Sequence, residues 1–331
     1  MTDVGLPLVV MTHASPPSVH ARLEQQCRVV TINKDENIVP RQKFLEAIKG
    51  AHALFLNPYS RVDAEVLDTA GPQLKVIATC SVGLEHIDLK ECERRGVKVG
   101  YTPNVLDKAV AELAVALTLA TARRLEEAFQ SVRDGVWGTL WENCLWMCGK
   151  QVSGSVVGIV GLGRIGFETA KRLAAFEPSK ILYCGNTPKA YADTIRADFV
   201  SFHELLETSD FVVATCSIND STRGLFDKEA FKRMKADAIF INVSRGALVN
   251  QDDLYEALSS NQIGAAGLDV TTPEPLPPNH RLLKLRNCVV SPHLGSATVR
   301  TRAAMCDVCV ENIFAGLNGK DLPSPVPSAF K

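Results

Sequence analysis

The chain has 331 residues, too many for one ordinary core, and this length favours two domains of roughly 100–200 residues each, with a cleft between them. Its 36 Lys and Arg against 37 Asp and Glu leave a net charge of −1, which excludes the overall basic field that would hold a polyanion such as nucleic acid. The most apolar long stretch, Ala109 to Ala122, contains Glu112 and is shorter than the roughly 20 residues of a membrane helix, so no membrane span is expected.

The start, MTDVGLPLVV, has no basic segment ahead of its apolar run and reads as a lead-in to a strand rather than a secretory leader. The 10 cysteines are scattered, as expected of buried thiols in a reducing compartment, and the cytoplasm is the expected location. Cys144 with Cys148 and Cys306 with Cys309 have ligand-like spacings, but no second Cys or His pair completes a tetrahedral set, so no metal is expected.

The first hundred residues alternate short β-branched runs with amphipathic ones. Strands are predicted over 8–12, 28–33, 52–57, 74–80 and 97–102. Between them Pro40 and Gly50 punctuate one helix, and Asp63 and Gly71 bracket another. From Asp107 to about Arg133 the pattern is helical without a break, with Val110, Leu113, Ala114 and Leu117 on one face. A second alternating series predicts strands over 156–160, 180–185, 210–216, 238–244, 265–270 and 287–291. A last helix, about 297–317, precedes a proline-rich tail. The resulting fold class is α/β, with two doubly wound parallel sheets. If the last helix returns to the first sheet, the second domain is an insertion in the first.

Gly161-Leu162-Gly163-Arg164-Ile165-Gly166 follows the predicted strand at 156–160 and opens a helix, which is the setting a dinucleotide loop requires. The three glycines would permit the turn, the approach of backbone to a pyrophosphate, and the packing of helix on strand. About twenty residues on, where an acidic residue often binds the adenosine ribose, the chain has Asn186-Thr187-Pro188-Lys189. No carboxylate stands there to repel a 2′-phosphate, and Lys189 could meet one. This favours NADPH and leaves NADH possible; otherwise Lys189 is a solvated loop lysine.

Three later loops beyond predicted strand ends carry Arg245, Glu274 and His293. Reduction of a ketone needs a proton at the oxygen, which a histidine supplies near neutral pH. A carboxylate such as Glu274 would orient the imidazolium, and Arg245 could hold a substrate carboxylate in two-pronged geometry. Each residue alone has a structural reading; together, at successive strand ends, they point to one site. His86 reads as structural. Val82 and Gly83, at the end of the fourth predicted strand, offer backbone N–H groups to an anionic substrate.

Over nearly its whole length the chain resembles the D-isomer-specific 2-hydroxyacid dehydrogenases. The resemblance is carried by SVGLEHID, GVKVGYTPNVL, ELAVALTLATARRLEEA, VGIVGLGRIG, FINVSRGALVNQDDLYEAL, AAGLDVTTPEPLP and SPHLGSAT. Within the family it is most similar to the branch that reduces glyoxylate to glycolate and hydroxypyruvate to D-glycerate. The resemblance implies a flavodoxin-like substrate-binding domain over 1–106 and 299–331, with a Rossmann NAD(P)-binding domain inserted over 107–298.

It also implies that Arg245, Glu274 and His293 are catalytic, and that a small 2-keto or 2-hydroxy acid meets Val82, Gly83, Arg245, His293, Gly295 and Ser296. Cofactor contacts are expected at Gly161, Leu162, Gly163, Arg164, Ile165, Asn186, Thr187, Lys189, Cys216, Ser217, Val243, Ser244, Arg245, Asp269, His293 and Gly295. Family members dimerise through their cofactor domains, and Trp141 resembles a residue reaching the partner's substrate site; its alternative is aromatic packing of a dimer arm. Relatives carry arginine where this chain has Asn186. Alternatives within the family are another D-2-hydroxyacid, such as D-lactate or D-3-phosphoglycerate, and a nicotinamide-sensing corepressor-like scaffold.

Overall fold

A computed structural model describes residues 5–33, 38–138 and 143–327, so Trp141 lies outside the described residues. The chain divides into two compact units, Met1–Leu106 with Thr298–Lys331, and Asp107–Ala297.

The first unit begins with β1 (Leu8–His13), α1 (Pro17–Glu24), β2 (Arg28–Asn33), α2 (Arg41–Ala47), β3 (Ala53–Leu56), α3 (Ala64–Ala70), β4 (Val76–Thr79), α4 (Leu89–Arg94) and β5 (Lys98–Gly100). All five strands are parallel, in the order β2-β1-β3-β4-β5, the flavodoxin-like arrangement. Every residue of β3 and β4 is buried. That is why ALFL, and VIAT up to Thr79, are apolar without alternation: a parallel sheet is covered on both faces. The punctuation around α3 acts locally, since the Asp63 carboxylate accepts from Val66 N–H at 3.2 Å and Gly71 closes the helix at φ 90°.

The second unit contains α5 (Asp107–Ala122), α6 (Leu125–Arg133), β6 (Val156–Val160), α7 (Arg164–Ala174), β7 (Lys180–Cys184), β8 (Ala197–Phe199), α8 (Phe202–Thr208), β9 (Phe211–Ala214), α9 (Lys228–Arg233), β10 (Ile239–Asn242), α10 (Gln251–Ser259), β11 (Ala265–Leu268) and β12 (Cys288–Val290). Its seven strands are all parallel, in the order β12-β11-β10-β9-β6-β7-β8. Strand order reverses between β6 and β9, so the glycine loop after β6 lies at the switch point where such sheets bind ligands. Phe226, Phe231 and Phe240 are almost fully buried, and Phe240 meets the other two with ring centroids 4.6 and 5.6 Å away.

Two expectations are corrected here. The helix predicted without a break from Asp107 to Arg133 is interrupted at Arg124, which is left-handed at φ 53°. The Ala122 carbonyl, which would continue the helical ladder, instead accepts from Lys150 N–H at 2.9 Å, and the absence of a side chain at Gly149 permits that approach. The second sheet also has one more strand than expected, β8 at its edge.

The chain then returns to the first unit through α11 (Val299–Leu317), which the Thr298 side chain caps. Asn312 of α11 is fully buried; its amide donates to the Tyr101 carbonyl at 3.4 Å and its oxygen accepts from Ser324 N–H at 3.0 Å. A β-carbon at Gly100 or Gly316 would overlap Asn312 or Val76 respectively, so these glycines set how closely helix and sheet approach. No helix among the described residues is long and apolar enough to cross a membrane.

Candidate active site

The glycine loop is shaped by what its residues lack. Gly161 sits at φ 96°, and a β-carbon there would come within 2.6 Å of Cys216 Cα. A β-carbon at Gly166 would lie 2.2 Å from the Gly161 carbonyl oxygen. Gly163 differs: it caps α7 without a side-chain bond, and nothing lies within 4 Å of where its β-carbon would be. That open cradle, at a helix start whose N–H groups favour an anion, fits a dinucleotide pyrophosphate. Leu162 is buried, Ile165 is half-buried and Arg164 is exposed. The loop is also held from outside: Thr215 Oγ1 donates to the Gly161 carbonyl at 2.7 Å, and Tyr191 Oη donates to the Leu162 carbonyl at 2.5 Å.

Asn186 and Thr187 are exposed on the loop after β7. The buried Tyr183 phenol accepts from Lys189 N–H at 2.8 Å, and Lys189 Nζ donates to Thr187 Oγ1 at 3.2 Å. The structure therefore brings Thr187 and Lys189 together. Cys216 and Ser217 follow β9, and burial pushes the Cys216 thiol up to about 11, so it is not a ready nucleophile.

Arg245, Glu274 and His293 lie beyond β10, β11 and β12 respectively. His293 Nδ1 is 2.8 Å from Glu274 Oε2, with the two side chains 34% and 24% exposed. The second oxygen, Glu274 Oε1, accepts from Thr271 N–H at 3.0 Å. Burial raises the Glu274 carboxyl, but the His293 bond and charge, the Thr271 N–H and the Arg245 charge outweigh it and hold it below the ordinary range. Arg245 is half-buried, and its Nη1 donates to the Ser244 carbonyl at 2.7 Å.

Sequence reasoning missed most of the scaffolding behind these side chains. Asn242, fully buried at the end of β10, donates to the Arg245 carbonyl at 2.9 Å and accepts from Ser244 N–H at 3.0 Å. The Ser244 hydroxyl in turn donates to the Cys216 carbonyl. Gln251 clamps the loop carrying Glu274 by meeting both the N–H and the carbonyl of Thr272 at 2.7 Å. An asparagine ending a buried strand was the available signal for the first; Gln251 had none beyond its place in NQDDL.

Asp269 is 1% exposed, and its carboxylate accepts from Ser291 Oγ (2.6 Å), Leu294 N–H (2.8 Å) and Gly295 N–H (2.9 Å). It supports the histidine loop from beneath instead of facing outward. The His293 N–H adds a bond to the Asp269 carbonyl at 2.9 Å, which holds His293 itself left-handed at φ 53°. Gly295 and Val243 are buried and Ser296 is half-buried.

In the first unit, Val82 and Gly83 are half-buried after β4. Ser81 Oγ donates to the Gly83 carbonyl at 2.7 Å, and Thr79 Oγ1 lies 3.0 Å from Ser81 Oγ and 2.9 Å from His86 Nε2. His86 thus bonds into the support of this loop.

Comparison with known proteins matches residues 115–295 to the NAD-binding domain of the D-isomer-specific 2-hydroxyacid dehydrogenases. A glyoxylate reductase/hydroxypyruvate reductase of Mus musculus is 50% identical over 327 residues, covering 98% of this chain and 99% of that one. Among solved structures, the TT0316 protein of Thermus thermophilus superposes with a TM-score of 0.90 at 40% identity, over 97% of this chain and 100% of its own. An NADPH-dependent glyoxylate/hydroxypyruvate reductase of Sinorhizobium meliloti, in complex with NADP and malonate, gives 0.82 at 29% identity, over 97% of this chain and 96% of its own.

Proposed function

The chain belongs to the D-isomer-specific 2-hydroxyacid dehydrogenases, oxidoreductases that use a nicotinamide dinucleotide, and from that premise we propose that it reduces glyoxylate to glycolate and hydroxypyruvate to D-glycerate, preferring NADPH. The observation that carries the chemistry is the 2.8 Å contact between His293 Nδ1 and Glu274 Oε2. The dinucleotide supplies the hydride to the carbonyl carbon when bound. His293 supplies the proton to the carbonyl oxygen from Nε2, because Nδ1 is committed to Glu274. The ionised Glu274 accepts from Nδ1–H and fixes the ring plane. Arg245 holds the substrate carboxylate, and its charge favours the oxygen on which negative charge develops.

Backbone N–H groups at Val82 and Gly83 contribute further anion contacts, and Ser296 and Gly295 complete the substrate and nicotinamide contacts. The 107–298 segment binds the dinucleotide, and 1–106 with 299–331 binds the acid. Lys189, braced by Thr187, meets the 2′-phosphate in place of the arginine of relatives. Two copies associate through the second unit: α6 leaves Phe129 and Val132 57% and 55% exposed, an apolar face that a second copy would cover. All 10 cysteines are free thiols, which fits the reducing cytoplasm.

Initial rates with hydroxypyruvate and with glyoxylate, using NADPH and NADH at equal concentrations, test this reading. Turnover with both acids, faster with NADPH, is expected; Lys189→Ala should lower kcat/KM for NADPH by about fivefold and leave NADH nearly unchanged. No turnover with either cofactor would overturn the reductase reading in favour of a binding scaffold of the same fold.

A further inference from the structure

Asp107 lies in the first turn of α5 and is 8% exposed. Its Oδ2 accepts from Arg164 Nε at 3.1 Å, while Oδ1 is buried with no hydrogen-bond partner. A carboxylate removed from water to this degree needs compensation, which comes from one cation and from the positive end of its own helix. Burial pushes the Asp107 carboxyl up, with the charge and hydrogen bond of Arg164 opposing it. An arrangement this unfavourable for the acid makes sense if the orientation it imposes on its partner is useful.

Its partner stands in the dinucleotide loop. Arg164 is the first residue of α7, directly after the open cradle of Gly163, and its side chain is 53% exposed. A guanidinium is a rigid planar fork of five N–H donors. With Nε–H held by Asp107, one terminal N–H shares that edge and faces the acid, while the other three N–H groups of the terminal nitrogens lie in the same plane and point away from it. Those three suit the oxygens of a pyrophosphate, which takes planar, two-pronged partners.

We infer that Asp107 is a positioning residue for the cofactor: it fixes the plane of Arg164 so that the terminal nitrogens meet the dinucleotide pyrophosphate. This rests on the reading of the chain as a dinucleotide enzyme. Repulsion between Asp107 and the pyrophosphate works in the opposite direction. The carboxylate is buried behind the Nε edge, so the arginine's own charge lies between the two anions. Orientation therefore outweighs repulsion.

The test is the Kd for NADPH by nucleotide fluorescence, with adenosine 2′-monophosphate, which has no pyrophosphate, as the companion ligand. Asp107→Ala should weaken NADPH about tenfold, and Asp107→Asn, which keeps an acceptor but not the charge, by less. Affinity for adenosine 2′-monophosphate should move less than about twofold, and kcat at saturating NADPH should change far less than KM. In the Arg164→Ala background, Asp107→Ala should cause no further loss. NADPH bound as tightly or more tightly by both Asp107 variants, or additive losses in the double variant, would overturn the inference. The asparagine variant keeps the test valid if the alanine variant does not fold. Failure of the unaltered protein to bind NADPH would overturn the dinucleotide reading itself.

Discussion

The glycine loop after β6 and the loops after β10, β11 and β12 that carry Arg245, Glu274 and His293 solve opposite problems. The first is a site made of backbone, where each side chain atom that is missing leaves room for a turn, a helix or a ligand. The second is a site made of side chains, where three ionisable groups on separate loops are held by others that bond to the loop backbone. Backbone sites therefore leave a compact signature in a sequence, because the same few positions make the shape and bind the ligand. Side-chain sites spread their supports widely: Asn242 comes from β10, Gln251 from α10 and Asp269 from the loop after β11.

The contrast is sharpest at His293. His293→Ala should lower turnover about 10²–10⁴-fold, the range of a positioned acid, while NADPH Kd stays within about twofold. Turnover near that of the unaltered protein would remove the acid role. Within the glycine loop the same contrast can be turned on itself. Gly161→Ala combines an unfavourable φ of 96° with a backbone clash at Cys216, and should destabilise the protein by about 2–4 kcal/mol, read as a lower thermal midpoint. Gly163→Ala meets no protein atom within 4 Å, so stability should hold while NADPH affinity falls. Equal stabilities of the two variants would break the distinction between glycines that serve the fold and the one that serves the ligand.

A smaller effect is expected at Glu274. Its folded-state carboxyl lies below the ordinary 4.5, so the ionised form is the one the fold stabilises. The stability gap between the unaltered protein and Glu274→Gln should be complete above about pH 4.5 and shrink as pH falls through the lower folded value. Chemical denaturation from pH 7 to pH 3 measures it. A gap that is constant or widens on acidification would show that the pair does not hold the carboxylate in this way.

Much of the architecture was legible because parallel strands buried on both faces are written as uninterrupted apolar runs, as in ALFL of β3 and FVVA of β9. The three residues of β8 carried no such run: Asp198 and Phe199 are exposed, and the strand exists because β7 offers it a partner on one side. The end of α5 was illegible for a different reason. It depends on Lys150, 28 positions past Ala122, claiming a carbonyl, and no local periodicity reports a contact at that separation. In the site, the pairing of Glu274 with His293 followed from chemistry, but the burial of Asp269 beneath the loop did not. A carboxylate after a strand looks the same in sequence whether it faces a ligand or collects N–H groups.

The left-handed backbone at His293 gives the enzyme an evolutionary vulnerability. Glycine adopts φ 53° with less backbone strain than a residue with a side chain, and asparagine tolerates it well, but either replacement also takes from the half-buried Glu274 its Nδ1 partner, so strain relief and the lost bond oppose each other. Folding stability alone would let this position drift. With the acid role proposed for it, selection for turnover keeps the imidazole there, and a lineage that stopped needing the reaction would be free to lose this side chain early at little cost to its fold.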